Sequence, residues 1–463
     1  MQRPSLDCYL RGTRRTFLKR LGLATGAVTL ASAGSAIWPA LAVAASRTRP
    51  KPRPDLLDKD SPPGIEVIQL TSEPDVPSSQ LYMEAQVFTL DCKRFVLHCS
   101  ATAHGGSQHD PQHQYLLCDL DSGCELSPLT HEVGVTGASV SPDGNYVFYF
   151  VNETNLGGGR LTLKRVKLDG SDRETIVVVD RPLAGTRFRP SRIYPLSTIS
   201  SDGRRIATSG FLGDGKSEAA PFGLMVFDIE KATVELALYG PTWCNMHPQY
   251  CRSKDPEASH DLLVQENHDN VTDASGNVTR LAGGVGADIH VIRDDGTNFR
   301  NLPWGRDGNE ACQGHQCWRG RTTWGITSTG TKKPPEAQLI EGRPVAHAGH
   351  IGLSTAGGLR NDLTRDFPKP HFYHFATDIT GRWLISDARM RPEGMQIFLM
   401  ELGAPGKQAA QKLRYLLNPK SSGTKQAHIH PFLSPDGNLG FFNSDESGML
   451  QAYMIRGLGI NLR

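Results

Sequence analysis

Ser141-Pro142-Asp143-Gly144-Asn145-Tyr146-Val147-Phe148-Tyr149-Phe150 is a tight turn followed by a strand. Pro and Gly fix the turn, Asp can hydrogen-bond its own backbone, and the β-branched and aromatic run favours a pleated, buried strand. The same phrase returns along the chain. Ser434-Pro435-Asp436-Gly437 leads to Leu439-Gly440-Phe441-Phe442, and Ser201-Asp202-Gly203 leads to Ile206-Ala207. Asp378-Ile379-Thr380-Gly381 leads to Trp383-Leu384-Ile385, and Leu90-Asp91 leads to Phe95-Val96-Leu97. Asp91, Asp143 and Asp202 are spaced by 52 and 59 residues, and Asp378 and Asp436 by 58. A period of about 40–60 residues built from four strands is that of a β-propeller blade. The chain from residue 80 to the end has room for seven, so the expectation is an all-β, seven-bladed β-propeller over 63–463. The segment Ile65 to Leu70 is placed as a closing strand on the last blade.

Before that domain, Thr13-Arg14-Arg15-Thr16-Phe17-Leu18-Lys19 and the Ala- and Gly-rich run Leu21 to Leu41 form a twin-arginine signal pattern. Ala40, Ala42 and Ala44 offer cleavage sites. Residues 1–45 are therefore expected to be a signal peptide, 46–62 a linker, and the mature protein periplasmic. No later segment holds about 18 continuous apolar residues, so no stable membrane insertion is expected after cleavage. A net charge of +2 on 463 residues gives no reason to expect nucleic acid as a partner. Gly (48) and Pro (30) are spread through the chain, which suits many short strands better than disorder. After removal of Cys8, eight cysteines remain as near neighbours, Cys92/Cys99, Cys118/Cys124, Cys244/Cys251 and Cys312/Cys317. In an exported protein local disulfides are the simplest reading. A zinc set of Cys312, His315 and Cys317 is the rival.

Gln426-Ala427-His428-Ile429-His430 carries the chemistry. On a strand, residues two apart share a face, which would present Gln426, His428 and His430 together as metal ligands. His247, His268 and His315 fall at comparable places in their blades, where an inner strand reaches the central channel. His104, His109 and His113 read as a flexible solvated loop, with a place over the funnel or on a stray metal as the alternative. His371 and His374 read as packed or surface residues or as residues reaching the channel, with His347 and His350 closely spaced before them. Cationic contacts for an acidic ligand fall to Arg252, Arg187, Arg189 and Arg319, since a guanidinium pairs with a carboxylate in bidentate fashion.

These segments, in this order, resemble those of the oligogalacturonide lyases. Glu310 to Trp318 resembles that family's T-H-E-F-W-like segment, and Ala287 to Asn298 its R-M-W-x-I-x-x-D-G-x-N strand and turn. Gln265 to His268 stands where the family has C-H-E-G-P, and Gln426 to Asp445 looks like its H-P-S-F-x-P-D terminus. Cys317 replaces an aromatic, Asp269-Asn270 replaces Glu-Gly-Pro, and insertions fall near 101–113 and 329–350. The resemblance implies a seven-bladed propeller that cleaves acidic oligosaccharides by β-elimination with a divalent metal, usually manganese. It implies His315, Gln426, His428 and His430 as metal ligands and His268 as the base; Arg252, as a carboxylate-pairing cation, is placed in the catalytic set beside it. His247, Arg187, Arg189 and Arg319 then contact substrate. A non-catalytic TolB-like envelope scaffold is the alternative. A serine peptidase is disfavoured, because no Gly-x-Ser-x-Gly elbow is apparent.

Overall fold

The computed structural model describes residues 49–460, except 84, 107–108, 218–219, 269, 281–286, 305–309, 332–338, 341–342, 345–350, 364–369, 391 and 405–409. The signal segment, Asp269, His347 and His350 lie outside the described residues. Among those described there is no α-helix, only antiparallel strands and three short 3-10 turns. None of the helices is long and apolar enough to cross a membrane.

Six blade sheets stand in a propeller arrangement, where seven were expected. Four are four-stranded, and each runs from an inner strand outward. Their inner strands are Ser79–Gln80, Val135–Val140, Arg192–Ile199 and Phe372–Thr377. The difference in count lies in an eight-stranded sheet. It joins a set starting at Gln249–Tyr250 to one starting at Glu310–Trp318, through the single pair Ala287↔Cys312. Each set has the four strands of a blade, so two blade-sized units have merged at one register position.

The sixth sheet closes the ring. Its strand Glu66–Gln69 pairs with Gln451–Arg456 from the other end of the chain, as the sequence suggested. Residues 51–56 are not a free linker. Lys51–Pro52 adds a further strand to Glu66–Gln69, Leu56 is buried, and Arg53 bridges Asp55 and Glu446.

The turns work as their residues dictate. Asp143 Oδ1 accepts from the Asn145 amide (3.0 Å) and the Ser141 hydroxyl (2.5 Å), while Gly144 takes φ +73°. Asp91 with Thr89, Asp202 with Ser200 and Asp436 with Ser434 repeat that clamp. Apolar residues from facing sheets fill the space between blades, as with Phe150 against Phe227 and Phe95 against Phe441. Around the channel the inner strands are tied by polar side chains. Gln249 Nε2 donates to the Gln316 carbonyl (2.8 Å), Trp318 Nε1 donates to the Gln249 carbonyl (2.9 Å), and the Gln80 amide donates to Asn443 Oδ1 (2.7 Å).

None of the eight described cysteines is in a disulfide. Cys118 and Cys124 face each other across a hairpin, with their thiols in contact, but the local disulfide reading fails where neighbours lie along one extended strand. At about 3.3 Å per residue, Cys312 and Cys317 on one strand are about 16 Å apart, far beyond the roughly 4.4–6.8 Å between Cα atoms that a disulfide requires. The zinc rival fails too, since the Cys312 thiol contacts Thr327 Oγ1 (3.5 Å) while Cys317 packs in a different apolar cluster.

Candidate functional site

Five imidazoles gather at the end of the channel where the inner strands begin. His428 and His430 precede the inner strand Phe432–Leu433, and His374 and His315 lie in the inner strands of two earlier units. His104 comes from the loop after Arg94–Cys99. Ring centroids are 4.7 Å apart for His104 and His430, and 5.0 Å for His104 and His428. They are 4.6 Å for His374 and His430, 4.8 Å for His374 and His428, and 4.6 Å for His374 and His315. One ring nitrogen from each of His104, His428 and His430 falls within 4.8 Å of the others.

Irregular backbone aims these side chains. Gln426 and Ala427 are in a 3-10 turn, Lys425–Ala427, and His430 has φ +44°. The expected strand face shared by Gln426, His428 and His430 is therefore absent. The Gln426 side chain is exposed, and its carbonyl accepts from the Ala103 amide (2.9 Å), which tethers the loop carrying His104. His374 sits in a register shift between Phe372 and Phe375, and His315 in one between Cys312 and Gln316. A bulge turns a side chain out of the regular alternation. Gly314 at φ +86° makes the second possible, because a Cβ there would lie 2.7 Å from Gln265 Nε2.

The electrostatics favour neutral imidazole. Burial, and then the neighbouring His428 and His374, bring His104 down to about 2. Burial and His374 bring His428 down to about 4, and His430 is held well below its ordinary value by burial and the same neighbours. Both ring nitrogens of His430 are buried without a hydrogen-bond partner among the described residues. Neutral rings with free lone pairs, three donors within reach of one point, fit a divalent cation of the imidazole-binding kind. His374 has the usual outer support of a metal-bound histidine: its Nδ1 lies 3.0 Å from Asp387 Oδ2, and Asp387 is fully buried.

Tyr82 packs against His104, His430 and His247. His247, at φ +50°, has its Nε2 2.9 Å from the Tyr194 hydroxyl. His268 caps the second strand of its unit, Asp261–Asn267, with Nε2 2.8 Å from Asp288 Oδ2. No ring contact among the described residues joins it to the five-histidine group. Of the arginines, Arg187 is exposed beside Phe188, and Arg189 donates to the Asp180 carbonyl (3.2 Å). Arg319 is buried and spent on the carbonyls of Gly381 and Gly403; burial lowers it to about 10. It is a brace between units. Arg252 follows the inner strand Gln249–Tyr250 and so belongs to the opposite end of the channel.

Sequence reasoning gave His104 and His374 only second place as channel residues and missed Asp387. An Asp inside the apolar strand Trp383-Leu384-Ile385-Ser386-Asp387-Ala388 was the available signal, since a buried carboxylate needs a partner.

No family model matches the chain, and no curated protein matches it in sequence. Solved structures do match in shape. An oligogalacturonate lyase from Vibrio parahaemolyticus superposes with a TM-score of 0.62 at 17% identity, over 88% of this chain and 96% of that one. The chain has the propeller fold of these lyases. An oligogalacturonate lyase in complex with manganese gives the same TM-score at 19% identity, over 86% and 95%.

Proposed function

We propose that the protein is a metal-dependent lyase that cleaves oligogalacturonides or related oligouronides by β-elimination. The observation that carries the reading is the meeting of one ring nitrogen each from His104, His428 and His430 at a channel mouth, with His374 in ring contact beside them, in a fold shared with an oligogalacturonate lyase in complex with manganese.

A bound divalent cation would draw electron density from the uronate carboxylate and lower the cost of charge developing beside C5. The chain's own residues do the rest. His104, His428 and His430 would hold the cation, with His374, oriented by Asp387, in ring contact beside them. Gln426, exposed and outside any shared strand face, is left out of the ligand set and acts through its carbonyl on the His104 loop.

The base must reach C5 of a uronate whose carboxylate is at the cation. The sequence pointed to His268. His315 satisfies the distance requirement better, because it is in ring contact with His374, so the proposal moves the role to His315 and keeps His268 as its rival. The imidazole takes the C5 proton, the C5–H electrons form the double bond, and the C4–O bond breaks toward the leaving sugar. No water is consumed, so the paired carboxylates of a glycosidase are not needed. Lys425, near enough to act electrostatically on His104 and His428, supplies a cation at the mouth for the sugar acid.

The test is ultraviolet absorbance of the unsaturated uronate formed from di- and trigalacturonate with manganese. Wild type should produce it, and His315→Ala should reduce the rate by about 10²–10⁴-fold. Loss in His268→Ala with full activity in His315→Ala would return the base to His268. No product on any uronide, from folded metal-loaded protein, would sink the lyase reading and favour a binding scaffold.

A further inference from the structure

The end of the channel opposite the histidines holds a cavity. The turns that follow the inner strands enclose a cavity of about 390 Å³, walled by Phe88, Val140, Ile199 and Phe432 and open beside Leu90. Arg252, Lys254 and Arg321 all line it. No described carboxylate pairs with any of the three. Other half-buried arginines of the protein are neutralised: Arg205 by Asp294 (2.5 Å) and Arg300 by Asp261 (2.5 Å).

The one acid in the wall, Asp436, is already engaged. Its Oδ1 accepts from the Ser434 hydroxyl (2.5 Å) and the Asn438 amide (3.1 Å), and its Oδ2 from Asn438 Nδ2 (2.8 Å). The Cys251 thiol beside Arg252 does not neutralise it either, since burial pushes the thiol up to about 11. Burial acts on the Arg252 guanidinium as well, and lowers it from its ordinary value, with like charge from Arg321 adding to the effect. A desolvated cation without a counter-charge is costly, and an incoming anion removes that cost. The walls are apolar, so the anion that gains most is one with an apolar body.

We propose that this cavity is a second binding site, separate from the histidine mouth, for an organic carboxylate with an apolar body. Arg252 pairs with the carboxylate, Arg321 and Lys254 add their charge at the opening, and Phe88 and Phe432 hold the rest of the ligand.

Calorimetric titration of the purified protein with cinnamate tests this, with cinnamamide and inorganic phosphate as controls. Cinnamate should bind wild type, and each of Arg252→Gln and Arg321→Gln should weaken it by about tenfold or more. Chelator treatment and His428→Ala should leave the binding unchanged, because they touch only the other mouth. Should Arg252→Gln fail to fold by circular dichroism, Arg321→Gln decides, since that side chain is exposed. The proposal is overturned if cinnamate does not bind wild type, or if Arg321→Gln binds it equally well. It is equally overturned if cinnamamide or phosphate binds as tightly as cinnamate, since the site would then not be reading charge and apolar body together.

Discussion

Asp387 shows how much of the proposed centre depends on a residue that never touches the cation. It is fully buried and holds both the His374 amide (2.7 Å) and the His374 Nδ1 (3.0 Å). It therefore fixes the ring's orientation and the nitrogen left free. Asp387→Asn should weaken manganese affinity by about 10–100-fold in a calorimetric titration; unchanged affinity would show that His374 does not support the cation site. The neutral histidines also set a pH response. His428 takes its proton near 6.5 when unfolded and only at about 4 when folded. Between those values the unfolded chain binds more protons, so stability present above pH 6.5 is lost as the pH falls toward 4. Metal-free protein should show its melting temperature dropping through that window, and His428→Gln should flatten the drop. A wild-type melting temperature that stays level across the window would contradict the burial argument.

At the scale of the elements, three inner strands use bulges to aim side chains into the channel. Tyr194 lies in the register shift of Arg192–Ile199, as His374 and His315 do in theirs. Gly314→Ala puts a methyl against Gln265 and forces a non-glycine residue to φ +86°. It should cost about 1–3 kcal/mol and displace His315, so that activity falls along with the melting temperature. Gly357→Ala, at φ +104° in open space, carries strain without the clash and should leave activity intact. Activity retained in Gly314→Ala would show that the bulge does not aim His315.

The same bulges explain what was legible in the sequence. The Asp-containing turns and the alternating strands are local, so the propeller and its closing strand Glu66–Gln69 could be read from residue type and spacing. The site could be read only in part. His428, His430 and His315 do meet, yet by a 3-10 turn, a positive φ and a bulge rather than by the alternation expected of a strand. His104 joins them from a loop whose path no periodicity reveals. Arg252 was misplaced because spacing along a strand does not tell which end of the channel a residue faces.

For the whole molecule, the ring of blades explains why the chemistry is scattered along more than three hundred residues and yet assembled. Each unit gives its inner strand to one channel, so the strand starts meet at one mouth and the following turns at the other. The two mouths differ in character: clustered imidazoles at one, cations without a described counter-charge between apolar walls at the other. The central claim is the cation at the first. Electron paramagnetic resonance of manganese titrated into chelator-treated protein tests it most directly, by following loss of the free-ion signal in wild type and in His430→Ala. One tight ion per chain in wild type, lost in His430→Ala, is the predicted result. Absence of tight binding in folded wild type, or binding that His430→Ala leaves unchanged, would contradict the account.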